Sequence, residues 1–278
     1  MALRGFLDLF RGKPHDAVGD GGQMSLTDHF RELRARLMRV VLVLIIGVIL
    51  GFVFNDQLFN VLMHPYNDAR DMLGHERVTK PVISGVGGPL MLQFKLAGVA
   101  ALVVTCPYWL YQIWAFILPG LRENEKRWTR IFVGAAGPLF LAGVGVGYWI
   151  MPKGLQVLIS FTPKSVENLV EFNDYFSFLT RMLLVFGVAF EIPLFVVLLN
   201  LAGVVKASSL ARHRSWIVVG TFVFAAVATP STDPFSMLML AVPMTLLFFV
   251  SEIIARVVDR RRARAADNGW DDDSASPL

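Results

Sequence analysis

The sequence predicts an all-α membrane protein, with six transmembrane helices in one bundle, both termini on the cytoplasmic side and the last two helices short. Three observations lead there. Of 278 residues, 55% are hydrophobic and only 17% are charged, against roughly a quarter charged in soluble domains. Apolar runs follow one another from residue 40 to 254, and a hydrocarbon core of about 30 Å takes roughly 20 apolar residues per helix. The basic residues, finally, fall on alternate connections. The first tail, the 2–3 and 4–5 connections and the last tail hold 19 Lys and Arg, and the 1–2, 3–4 and 5–6 connections hold 5. Lys and Arg are retained on the cytoplasmic face, so both tails are placed inside.

Residues 1–24 read as a flexible tail. Arg4 and Asp8 interrupt the first apolar residues, so no secretory leader is expected. Residues 25–258 read as one membrane domain, with spans near 37–58, 92–117, 131–151, 176–202, 215–230 and 235–254. Residues 259–278, ending in Asp271, Asp272 and Asp273, read as a disordered tail. No internal repeat is visible. The segments 59–91 and 152–175 are long non-cytoplasmic connections in which short helices have room to form. The last two spans are the shortest. Trp216 to Ala228 is uninterrupted but brief, Met237 to Val250 contains Pro243, and Thr229–Asp233 between them is a turn signal.

The pI is about 9.4, but the bases lie where topology requires them, and Arg260, Arg261, Arg262 and Arg264 read as an anchor against anionic lipid rather than a nucleic-acid surface. The one cysteine, Cys106, sits in an apolar run and reads as a small buried side chain. There is no phosphate-binding loop, no metal-ligating cluster and no nucleophile beside a histidine, so neither a cofactor nor an enzymatic activity is expected. His64 and His75 are isolated.

Three clusters of polar residues remain. At the start of helix 1, Ser25 and Asp28 resemble a capping box, Phe30, Leu33 and Leu37 share a helical face, and Glu32 stands four residues before Arg36. That pair reads either as local anchoring or as part of an acidic site at the membrane edge. In the 2–3 loop, Glu123 and Glu125 lie among Arg122, Lys126 and Arg127. They read as locally paired charges or as receptors for guanidinium groups, which carboxylates bind through paired charge-assisted hydrogen bonds. Glu191, in Phe190–Glu191–Ile192–Pro193, sits near the middle of span 4. An acid at that depth is costly and points to function, and Pro193 beside it predicts a kink.

Taken in order, residues 25–258 resemble the TatC family. The stretch with His29, Glu32, Leu33, Arg34, Arg36 and Leu37 is similar to the family's first motif, with Phe30 at a leucine position. Tyr111–Ile117 followed by Pro119 resembles the end of its second helix, and Glu125 its loop glutamate, with Lys126 in place of an arginine. Glu191 and Pro193 match its intramembrane motif, Thr229, Pro230 and Asp233 its last turn, and Pro65 a proline of its first outer loop.

The resemblance implies a non-enzymatic core subunit of the twin-arginine translocase in the bacterial cytoplasmic membrane, a cupped six-helix bundle. It implies recognition of twin-arginine signal peptides on folded precursors, single-helix TatA and TatB partners, self-association and use of the proton-motive force. Glu32 and Glu125 would contact the signal arginines, with Leu33, Arg34 and Arg36 shaping the site, and Glu191 would line a hydrated face. Phe116, Pro119, Pro65, Pro193, Pro230 and Asp233 would be structural. Thr229 and Met237 would mark the partner-docking end, where the family often has glutamine at the position of Met237. The alternative is a proton-coupled small-molecule transporter using Glu191.

Overall fold

The computed structural model describes residues 26–74, 79–117, 126–163, 166–201, 203–229 and 233–267. In chain order these form α1 (Leu26–Val53), α2 (Asn55–Leu73), β1 (Thr79–Val82), α3 (Gly88–Val104), α4 (Cys106–Ile117), α5 (Lys126–Ser160), β2 (Asn168–Glu171), α6 (Phe172–Phe190), α7 (Ile192–Leu201), α8 (Ala207–Arg212), α9 (Arg214–Ala228) and α10 (Pro234–Asp267). The strands β1 and β2 pair in a two-stranded sheet.

Among the described residues, four helical stretches are long and apolar enough to cross a membrane: Phe30–Val53, Gly134–Ser160, Phe172–Leu201 and Pro234–Arg264. Helices α3 and α4 add a fifth if taken as one span bent by 57°. The bend has a local cause. Pro107 in the first turn of α4 has no N–H to continue the ladder, and Thr105 turns its hydroxyl back onto the Ala101 carbonyl at 2.7 Å. The fifth predicted span, 215–230, is α9, with 15 residues, about 22 Å of helix against a core of about 30 Å.

Two expectations need correction. The last helix is not short, since α10 runs for 34 residues with Pro243 inside it. Its apolar stretch is long enough to cross a membrane, and Glu252 and Arg256, paired one turn apart, support the helix as it continues toward Asp267. For the same reason residues 259–267, expected in the disordered tail, belong to α10. The outer segment from 59, in which short helices had room to form, holds residues 59–73 of α2, with Pro65 inside, followed by β1.

The chain divides into two compact units, 1–64 with 82–138 and 171–173, and 65–81 with 139–170 and 174–278. In the first, α1 packs on α3 through small residues. A Cβ on Gly51 would stand 2.9 Å from the Ala97 Cα, and one on Gly47 3.0 Å from the Ala101 Cβ. Such close backbone approach is how helices associate where lipid removes the hydrophobic difference between partner and solvent. Phe52 meets Phe94 edge to face at 4.8 Å. The buried Cys106 directs its thiol at the Gly137 carbonyl, 4.0 Å away.

In the second unit, α5 and α6 use the same device. A Cβ on Gly143 would fall 2.5 Å from the Phe186 carbonyl oxygen, and one on Gly187 2.7 Å from the Phe140 ring. Toward the C-terminus, Ala207, Leu210, Phe248 and Ala255 form a small core in which α8 packs on α10. Near the sheet, Tyr66 is buried with its hydroxyl 2.8 Å from Thr79 Oγ1 and its ring 5.6 Å from Tyr175.

Candidate functional site

The first predicted cluster opens α1. Its helical phase leaves Phe30, Leu33 and Leu37 exposed on one face and turns Ala35 inward. Glu32 and Arg36 do form the i,i+4 pair, with Arg36 Nε donating to Glu32 Oε1 at 2.9 Å and Nη2 donating to the same oxygen. Both side chains are largely covered, at 17% and 19% exposure for Glu32 and Arg36. The second oxygen, Oε2, takes no part in either bond. An incoming guanidinium would share or displace Arg36 rather than meet a bare carboxylate. Arg34 is exposed beside the pair.

Glu125 and Pro119, of the predicted 2–3 loop, lie outside the described residues, as does Pro230. Phe116 is half-buried in the last turn of α4.

Glu191 occupies the break between α6 and α7. Its own N–H bonds to the Val188 carbonyl, a tightened turn, and its carbonyl accepts from Phe195 N at 2.9 Å. Pro193, buried next to it, has no proton for the Ala189 carbonyl, which is why the helix breaks there. Both carboxylate oxygens of Glu191 are shut off from the surface. The carboxylate is therefore enclosed within the second unit.

At the far end, Thr229 caps α9 and is buried, its hydroxyl donating to the Ala225 carbonyl at 2.9 Å. Asp233 accepts from Ser236 N at 2.6 Å, an N-cap for α10. Met237 follows, half-buried in the first turn. Pro65 is fully buried in α2.

Sequence reasoning missed a polar network where α7, α8 and α9 meet α10. Glu252, with its side chain 3% exposed, accepts from Arg214 Nε at 2.7 Å and Nη2 at 2.5 Å and from Arg256 Nη2 at 2.5 Å. Two turns further on, Asp259 accepts from Asn200 Nδ2 at 2.9 Å and from the Ala207 backbone N–H at 2.8 Å. Arg262 donates to the Asn200 carbonyl at 3.0 Å. A signal was present, because Glu252 is an acid at the end of an apolar run with a base four residues on. Its pairing with Arg214, 38 positions away, needed the fold.

Among the described residues no group of three or more His, Cys, Asp or Glu is arranged to hold a metal.

Long apolar helices packed through glycine, a proline-broken span carrying an enclosed acid, and charged residues gathered at helix ends define a multi-pass helical membrane protein. The comparisons with known proteins specify it. The pattern of the family described as Sec-independent protein translocase protein (TatC) matches residues 28–243. The Sec-independent protein translocase protein TatC of Xylanimonas cellulosilytica is 40% identical over 92% of this chain and 94% of its own length. That of Deinococcus radiodurans is 35% identical over 84% and 86%. The crystal structure of the twin-arginine translocase receptor TatC in DDM superposes with a TM-score of 0.70 at 29% identity, covering 82% of this chain and 99% of that one. The chain belongs to the TatC family. The matched stretch includes Glu32, Glu125 and Glu191, and ends before Glu252 and Asp259.

Proposed function

We propose that this chain is the signal-reading core subunit of the twin-arginine translocase, a multi-pass protein of the bacterial cytoplasmic membrane that moves folded precursors using the proton-motive force. Family membership over most of the chain is the observation that carries the reading. It favours the translocase over the proton-coupled small-molecule transporter that Glu191 alone left open. The solved neighbour is described as a receptor.

In this reading six spans place both termini in the cytoplasm, in keeping with the distribution of Lys and Arg. Glu32 and Glu125 bind the two arginines of the signal peptide. Leu33 and the exposed Phe30 and Leu37 offer an apolar strip on the same helix to the peptide's hydrophobic segment. Arg36 holds the Glu32 carboxylate in place until a signal guanidinium competes for it, and Arg34 shapes the rim. Glu191 lines the intramembrane route. Thr229 and Met237 lie at the end where single-helix TatA and TatB partners dock, and copies of the chain associate. The chain acts by binding and assembly rather than by covalent catalysis.

The test is photo-cross-linking of a twin-arginine signal peptide to membranes holding wild type, Glu32→Ala or Glu125→Ala at equal levels. Loss of one charge-assisted contact worth about 1.5–3 kcal/mol lowers affinity roughly 10- to 150-fold. Labelling lost in both variants, and lost when the peptide arginines become lysines, is the expected result. Equal capture by wild type and both variants would remove the acids from the site.

A further inference from the structure

Beside the Asp259 network lies a cavity of about 490 Å³, lined by Asn200, Gly203, Lys206, Arg256, Asp259, Arg260 and Arg262 among others. Its charge is unbalanced. Four cations line it with one carboxylate, and that carboxylate is already engaged by Asn200 and by the Ala207 N–H. Arg256 is drawn toward Glu252, and Arg262 is spent on a backbone carbonyl that does not neutralise it. Lys206 and Arg260 are exposed and, among the described residues, form no ion pair.

Leu246, Val250, Ile253, Val257 and Arg260 follow one another at alternate spacings of four and three residues on α10, so they form one stripe. The four apolar members are all exposed, Ile253 by 61%. An uninterrupted apolar track thus runs along a membrane helix and ends at Arg260, on the rim of a cationic cavity. That is the outline of an amphiphile with an anionic head.

We infer that this cavity is a specific site for one anionic phospholipid, its phosphodiester held by Lys206 and Arg260 and an acyl chain lying along Leu246, Val250, Ile253 and Val257. Basic hollows between helix ends hold anionic headgroups in this way. The apolar track is the reason to name a lipid rather than free phosphate. Lys206 lies within the stretch matched by the family pattern, and Arg256, Asp259, Arg260 and Arg262 lie beyond it.

The test is native mass spectrometry of the full chain released from detergent containing phosphatidylglycerol, with phosphatidylcholine and inorganic phosphate as separate arms. Wild type should retain a single phosphatidylglycerol in preference to phosphatidylcholine. The Lys206→Ala/Arg260→Ala double variant should bind it roughly 30-fold more weakly, from two lost near-surface cations. The Arg261→Ala/Arg264→Ala double variant, with the same net charge and both changes outside the cavity, should bind like wild type. Replacing Val257 with Asn should weaken phosphatidylglycerol without changing any phosphate adduct. Equal weakening in both double variants would reduce the effect to diffuse charge and overturn the site. Retention of phosphate with no preference for phosphatidylglycerol would overturn the lipid assignment. All four substituted cations are exposed, and thermal unfolding in phosphatidylcholine alone checks that each variant is folded.

Discussion

Glutamate 252 offers a direct test of how the C-terminal helices hold together. Its carboxylate is nearly dry, and three guanidinium N–H groups from two arginines converge on it at 2.5–2.7 Å. The arginines are not dry, at 44% and 43% side-chain exposure. Breaking a fully buried pair costs about 3–5 kcal/mol, but here the orphaned cations can turn to water, so the lower part of that range applies. Glu252→Gln keeps the shape, removes the charge and sets an amide N–H₂ among guanidinium donors. It should cost about 2–4 kcal/mol. Arg214→Gln leaves Arg256 on the carboxylate and should cost about 1–2 kcal/mol. The two changes together should fall short of their sum by about 1 kcal/mol or more, because the second removes an interaction the first already broke. Exchanging both for leucine should recover much of the loss, since two well-packed apolar residues replace an ion pair at little cost. The assay is reversible unfolding in mixed micelles, followed through Trp216 beside Arg214. A Glu252→Gln effect below about 0.5 kcal/mol, or strict additivity, would refute the pairing as a stabilising contact.

The other expectations concern packing and ionisation. Gly51→Ala places a methyl carbon 2.9 Å from the Ala97 backbone, so α1 and α3 must separate, at about 1–3 kcal/mol in the same unfolding assay. Gly98→Ala, on α3 with open space around its added carbon, is the matched control and should be neutral or slightly stabilising. Gly143→Ala meets the Phe186 carbonyl oxygen at 2.5 Å and should be the most damaging of the three, with a lowered midpoint at unchanged insertion. Burial pushes the Tyr66 phenol above its ordinary 10.0, against smaller opposing effects of the Thr79 hydrogen bond and the Arg70 charge. The folded state thus holds this proton more tightly than the unfolded chain. Its contribution is intact below pH 10 and is lost as pH rises through the raised value. A pH titration of stability should show an alkaline fall that is shallower in Tyr66→Phe, which also starts lower because buried Thr79 loses its partner.

Several elements were legible because they rest on local chemistry. The apolar runs announced α1, α5, α6 and α10, the Glu32–Arg36 pair followed from helical spacing, and the break at Glu191 followed from the missing N–H of Pro193. Function was legible because motifs in order across the chain identify a family. Helix ends fared worse, since Glu252–Arg256 carries α10 past its apolar stretch to Asp267 and α2 fills a segment that hydropathy leaves blank.

By itself, then, the sequence determined that this chain crosses a membrane through apolar helices, that Glu32 stands at a helix start and Glu191 beside a proline break, and that its family is TatC. These depend on composition and spacing along the chain. Only the tertiary structure decided that Gly51 meets Ala97, that Gly143 meets Phe186, that Arg214 clamps Glu252 and that Lys206 and Arg260 share a cavity rim. Such contacts join residues tens of positions apart. Their partners are selected by which backbones can approach and which charges are left without water, and neither is written in local spacing.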